Sequence, residues 1–253
     1  MKFFIDVQGT LIDDQDKKPI KGAIAFIDAL NKKQIPYVVI TNNTKKRDFL
    51  DYLQSLGFAI ESKNYIDPLQ VLREVLKFKK VAAYGVAEFV KNIQALGYEL
   101  DYSSPEAVVL SVKSDYTFEE FADIDEFLLR GAKLYGMHQT SLYVKNNRRY
   151  PSVGALLEMF AYATGVEYEV VGKPSKLFFT KALKKIGGEF DEVMIISDDV
   201  QGDLIGAAKL GMKTAFVLSG KFKSAQEILP KLGFEPDLVA KNIYEVGQQL
   251  GVV

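Results

Sequence analysis

The sequence predicts an α/β protein in which a doubly wound parallel sheet carries an inserted second α/β domain. Three observations predict it. Short apolar runs at 3–6, 37–41, 192–198 and 214–219 each end in a polar residue followed by a turn or loop, as strands buried on both faces do. Stretches with helical spacing separate them, and strands alternating with helices imply right-handed crossovers. The middle of the chain breaks this rhythm with its own strand and helix candidates.

Taken in order, Phe3 to Asp6 reads as the first strand. Residues 22–34 read as a helix carrying Ala23, Phe26, Ile27 and Leu30 on one stripe. Tyr37 to Thr41 is the second strand. Residues 44–56 form a second helix with Phe49, Leu53 and Leu56 on its apolar face and Gly57 as its stop. In the middle, Lys80 to Tyr84 and Ala107 to Val112 read as strands, Phe118 to Ala132 as a helix and Ser141 to Val144 as a further apolar run. Phe179, Leu183 and Ile186 repeat the helical spacing before Gly187. The expected division is a core of residues 1–66 and 171–253 with an insert of residues 67–170.

Composition narrows the function. At 253 residues with 48% hydrophobic side chains, the chain can bury ordinary cores. A net charge of -1 supplies no general attraction for nucleic acid or for anionic membranes. No apolar run approaches the ~18 residues of a membrane span, and Asp6 interrupts the N-terminal apolar segment before it could act as a signal peptide, so a cytoplasmic protein is expected. The absence of cysteine removes disulfides, thiolate nucleophiles and Cys-ligated metals. Chemistry must rest on oxygen and nitrogen groups.

Four polar segments fall at the ends of the core strands: Asp6-Val7-Gln8-Gly9-Thr10, Thr41-Asn42-Asn43, Gly172-Lys173-Pro174 and Ser197-Asp198-Asp199-Val200-Gln201-Gly202-Asp203. In order and placement they resemble the four motifs of the haloacid dehalogenase superfamily. The stretches Tyr116 to Gly131, Tyr150 to Ala155 and Thr164 to Ser175 are similar to the branch of NagD and the p-nitrophenyl phosphatases, whose larger cap domain the insert resembles. The resemblance covers nearly the whole chain, including Pro236 to Val239. It implies a magnesium-dependent phosphatase of small phosphorylated metabolites, with the cap limiting substrates to small molecules and pairing two copies as a homodimer.

The residue types suit that chemistry. A carboxylate at a strand end can attack phosphorus and form an aspartyl phosphate, which divides one hard displacement into two easier ones. Asp6 is the candidate nucleophile. Attack by an anion on a phosphate dianion needs compensating charge, which a hard divalent ion on oxygen ligands supplies. Asp6, the main-chain carbonyl of Gln8 and Asp198 are the expected magnesium ligands. Thr41 and Asn42 offer hydroxyl and amide donors to phosphate, Lys173 a fixed positive charge, and Asp203 support from behind.

One residue departs from the pattern. The family resemblance calls for Asp at position 8, where it protonates the leaving group and later activates water. Gln8 cannot exchange a proton near neutral pH. Loss of such a group typically costs ~10² to 10⁴ in rate, about 3 to 5 kcal/mol, and falls hardest on alkyl esters, whose leaving groups need the proton. Asp13, Asp14 and Asp16 lie nearby in sequence as surrogate acids, although clustered carboxylates more often form a solvated turn. Two readings follow: a phosphatase restricted to good leaving groups, and a catalytically degenerate relative that binds a phosphometabolite or a protein partner.

Overall fold

The computed structural model describes residues 1–145 and 148–253, without the side chains of residues 144 and 145. Contacts within the chain divide it into two units. The first comprises Met1–Thr41, Asp48–Ile66 and Phe179–Val253, and the second Asn42–Arg47 and Asp67–Phe178. Residues 42–47 and 171–178 thus cluster with the second unit.

The first unit is built on a six-stranded sheet. Its order is Leu238–Ala240, Lys213–Val217, Val193–Ser197, Lys2–Asp6, Tyr37–Ile40 and Tyr65–Ile66, with every pairing parallel. In the first strand, Phe3 and Ile5 enter one core beside Val39, Ile196 and Val217, while Phe4 points to the opposite face and stacks on Phe179. The helices Ala23–Lys32, Phe49–Ser55 and Ile243–Gln249 cover the first face, and Lys176–Ile186 contributes Phe179 and Ala182 to the other. Both faces are buried, which is why the strands read as continuous apolar runs rather than as alternation.

The second helix is shorter than its apolar spacing predicts. It begins at Phe49 rather than at residue 44. Asn43 closes a local turn, accepting from the N–H of Lys46 at 3.3 Å and donating to the Lys46 carbonyl at 2.7 Å, which competes with helix over these residues.

The second unit has its own parallel sheet, ordered Tyr168–Val170, Lys133–Gly136, Ala107–Leu110, Lys80–Tyr84 and Glu99–Leu100. Ala82, Val108, Leu110 and Leu134 pack against Ile124, Phe127 and Leu128 of helix Phe118–Leu129 and against Val153, Leu157 and Phe160 of helix Val153–Thr164. Thr117 and Glu120 cap the first of these reciprocally. An antiparallel pair, Leu142–Lys145 with Arg148–Pro151, completes the unit. Asn146 and Asn147 lie outside the described residues. Among the described residues no helix is long and apolar enough to cross a membrane.

Candidate functional site

The first unit's sheet runs outward in both directions from the first strand, toward Tyr37–Ile40 on one side and Val193–Ser197 on the other. Open α/β sheets bind ligands at the carboxyl edge where the strand order reverses in this way. Ile5 pairs with Ile196 and Asp6 with Ile40, so Asp6, Thr41 and Asp198 leave the sheet at the same edge.

Asp6 and Asp198 are both buried. Burial, reinforced by the negative charge of Asp6, pushes the Asp198 carboxyl up to about 8. Thr10 Oγ1 reaches Asp6 Oδ2 at 3.5 Å, and the main-chain N–H of Lys221 donates to Asp198 Oδ2 at 2.8 Å. Asp198 is also wedged sterically: a Cβ on Gly220 would stand 1.9 Å from Asp198 Oδ2, and one on Gly9 2.3 Å from it. Gly9 has φ +75°, so glycine is required there on two counts. Ser219 Oγ donates to the Gly9 carbonyl at 2.7 Å and ties the two loops together.

Around this pair the neighbouring polar groups are engaged in fixed ways. Thr41 Oγ1 donates to Gln8 Oε1 at 3.1 Å. Buried Asp203 accepts at Oδ2 from Ser197 Oγ at 2.6 Å, and that same hydroxyl accepts from the Asp199 N–H at 3.0 Å. Asp199 caps the wide π-type turn Val200–Leu204 by accepting from the Gly202 N–H at 2.9 Å, and its other oxygen pairs with Lys221 Nζ. The surrogate acids are otherwise occupied. Asp13 Oδ1 accepts from the N–H groups of Gln15 and Asp16, which hold its carboxyl below the usual range, while Asp14 and Asp16 pair with Lys17 and Lys18.

Asn42 and Lys173 belong to the second unit and meet there directly. Asn42 Oδ1 accepts from the Lys173 N–H at 2.8 Å, and Asn42 Nδ2 donates to the Lys173 carbonyl at 3.3 Å. Lys173 is buried. His138, in the same unit, is buried too; its Nδ1 accepts from the Thr140 N–H at 3.3 Å, and burial pushes the imidazole down to about 4.

Comparison with known proteins decides the family. The family model described as haloacid dehalogenase-like hydrolase matches residues 3–99, and a second, described as HAD-like hydrolase, matches residues 170–246. The bovine haloacid dehalogenase-like hydrolase domain-containing protein 2 is 30% identical over 227 residues, covering 88% of this chain and 86% of that one. The chain belongs to the haloacid dehalogenase-like hydrolases. The mouse phospholysine phosphohistidine inorganic pyrophosphate phosphatase is 27% identical over 235 residues, covering 90% of this chain and 86% of its own. Among solved structures, the p-nitrophenyl phosphatase from Archaeoglobus fulgidus superposes with a TM-score of 0.85 at 21% identity, covering 98% of each chain. NagD from E. coli K-12 gives 0.77 at 21% identity, over 96% of this chain and 97% of that one. At these identities the two structures speak for the fold, a Rossmann-like hydrolase core with an α/β insert.

For a hydrolase of this family the paired carboxylates suit a hard divalent cation. Two buried carboxyl groups whose charges oppose each other need a cation to ionise together, and their ligand atoms are oxygens. Among the described residues no group of three His, Asp or Glu side chains is placed to hold a metal. The expected set has only two carboxylates, its third member being a main-chain carbonyl.

Sequence reasoning missed Lys221 and Gly220 in this hydrolase, and it named Ser197 without giving it a role. The signal for the first two was present. The strand reading of residues 214–219 stops just before Gly220 and Lys221, and the loop after a strand at the carboxyl edge is where open α/β sheets bind ligands.

Proposed function

We propose that the chain is a magnesium-dependent phosphatase of small phosphorylated metabolites that acts through an aspartyl phosphate on Asp6 and is confined to good leaving groups by Gln8. The observation that carries this reading is the pair of buried, mutually repelling carboxylates, Asp6 and Asp198, at the ends of adjacent strands. Magnesium held by Asp6, Asp198 and the Gln8 carbonyl would neutralise phosphate charge and orient the phosphoryl group for attack.

In the first step an Asp6 oxygen bonds to phosphorus as the bond to the leaving oxygen or nitrogen breaks, and the leaving group takes the electron pair. In the second, a water oxygen bonds to phosphorus as the Asp6–phosphorus bond breaks, and the phosphate takes the proton that water sheds. Gln8 can hydrogen-bond that water but has no site to receive the proton. Lys173 supplies the fixed charge, Asp203 supports the site from behind, and residues 67–170 act as the cap that restricts substrates to small molecules.

Aryl phosphates, acyl phosphates and anhydrides depart without a proton. The name of the mouse relative, with its P–N and anhydride substrates, supports that class. A cysteine-free chain suits the cytoplasm, and pairing through the second unit is the assembly this reading favours.

The alternative is a degenerate relative that binds a phosphometabolite or a protein without turnover, and the Gln8 amide is the observation that favours it. Turnover of p-nitrophenyl phosphate with magnesium that disappears in Asp6→Asn supports the phosphatase. No turnover in the native protein, together with a large gain in Gln8→Asp, supports the degenerate reading.

A further inference from the structure

The two-way bond between the Asn42 amide and the Lys173 backbone gives Asn42 a different task from the phosphate contact its position suggests. Both ends of the side chain are committed: Oδ1 takes the Lys173 N–H at 2.8 Å and Nδ2 gives to the Lys173 carbonyl at 3.3 Å. An amide used at both ends has only one N–H left. The neighbouring glycine serves the same contact, because a Cβ on Gly172 would lie 2.6 Å from Asn42 Oδ1 and 2.1 Å from the Met137 carbonyl.

The loop that carries Asn42 is itself pinned. Asn92, buried on helix Ala87–Ala95, donates from Nδ2 to the carbonyls of Thr44 at 2.9 Å and Lys45 at 3.0 Å. The hydroxyls of buried Thr44 and Ser111 bond at 3.1 Å. These contacts explain why residues 42–47 cluster with the second unit although the strand before them lies in the first. Buried amides satisfied at several points fix a loop more tightly than its own turn could.

We propose that Asn42 is a positioning residue that sets the Lys173 main chain, and through it the lysine charge, rather than a phosphate ligand. The assignment of that charge to catalysis rests on the phosphatase reading; the clasp itself does not. Displacing a charged group by about 1 Å can cost on the order of 10²-fold in rate, so loss of the clasp would be felt through Lys173.

Two measurements on the full chain test this. The first is amide hydrogen exchange at Lys173 in the native protein and in Asn42→Ala, with Asn42→Ser as the second variant should the first fold poorly. The clasp requires exchange at Lys173 to accelerate by roughly tenfold or more while the central strands keep their protection; unchanged exchange overturns the proposal. The second is a double-mutant cycle between Asn42→Ala and Lys173→Ala, read as kcat/KM for p-nitrophenyl phosphate and as inorganic phosphate affinity. Asn42→Ala is expected to cost about 10- to 100-fold in the native background and under about threefold when Lys173 is already gone. Losses that multiply make Asn42 an independent ligand and overturn the proposal. Accelerated exchange in a protein that neither binds phosphate nor turns over p-nitrophenyl phosphate keeps the clasp and removes the phosphatase reading. An active native protein with unchanged exchange does the reverse.

Discussion

Thr41 Oγ1 donates to Gln8 Oε1 at 3.1 Å, so two side chains expected at the same site are hydrogen-bonded to each other. As placed, the Gln8 oxygen faces Thr41 and the NH₂ is the opposite end of the amide. An NH₂ can donate to a phosphoryl or water oxygen but cannot take up a proton.

On the proposed phosphatase reading, a carboxyl placed at position 8 should favour alkyl-ester hydrolysis. Gln8→Asp is expected to raise kcat/KM for alkyl phosphates by ~10² to 10⁴ and to change that for acyl phosphates little. In the native protein the rate should fall steeply as the leaving-group pKa rises. A flat dependence across a series of aryl and alkyl phosphates would mean that another residue donates the proton.

On the proposed phosphatase reading, a phosphoenzyme on Asp6 should persist, because Gln8 cannot serve its hydrolysis as a general base. Intact mass after brief mixing with acetyl phosphate and magnesium is expected to show one added phosphoryl group, absent in Asp6→Asn and short-lived in Gln8→Asp. Hydroxylamine, which cleaves acyl phosphates, should remove it.

Asp198 gives the site a pH signature. Its carboxyl is raised from 3.8 to about 8, so between those values the folded chain holds a proton that the unfolded chain has shed. The stability of the metal-free protein therefore falls as pH rises across that window. Cation binding needs the ionised form, so the Tm gain from magnesium should be larger at about pH 8.5 than at about pH 5.5. Each ~1 kcal/mol of that gain moves Tm by about 2–4 °C. Asp198→Asn should raise the metal-free Tm at the higher pH and abolish the magnesium response, which differential scanning fluorimetry reads directly.

Gly220→Ala tests the steric wedge. The added methyl would stand 1.9 Å from Asp198 Oδ2 and 2.8 Å from its Cβ, too close for the carboxylate to keep its place. Magnesium affinity by titration calorimetry is expected to fall at least tenfold, with a smaller loss of stability.

Removing the Ser197 hydroxyl leaves the Asp203 carboxyl and the Asp199 N–H without it. Ser197→Ala is expected to cost about 1–3 kcal/mol in denaturant unfolding.

The sequence by itself determined the parallel-sheet class, four of the six strands of the first sheet and the carboxylates at the ends of two of them. A strand buried on both faces must read as an unbroken apolar run, and a charged residue can follow only where the run leaves the sheet, so Asp6 and Asp198 announce their own position. It also placed an amide at position 8, two residues after Asp6, which is a matter of residue identity alone. What only the tertiary structure decided is the partner of each side chain. Asn42 takes the backbone of a residue 131 positions away, Lys221 reaches back to Asp199, and the helix expected from residue 44 waits until Phe49 because Asn43 holds the preceding turn. Such choices depend on which distant loop arrives within about 3 Å, and no local period encodes that.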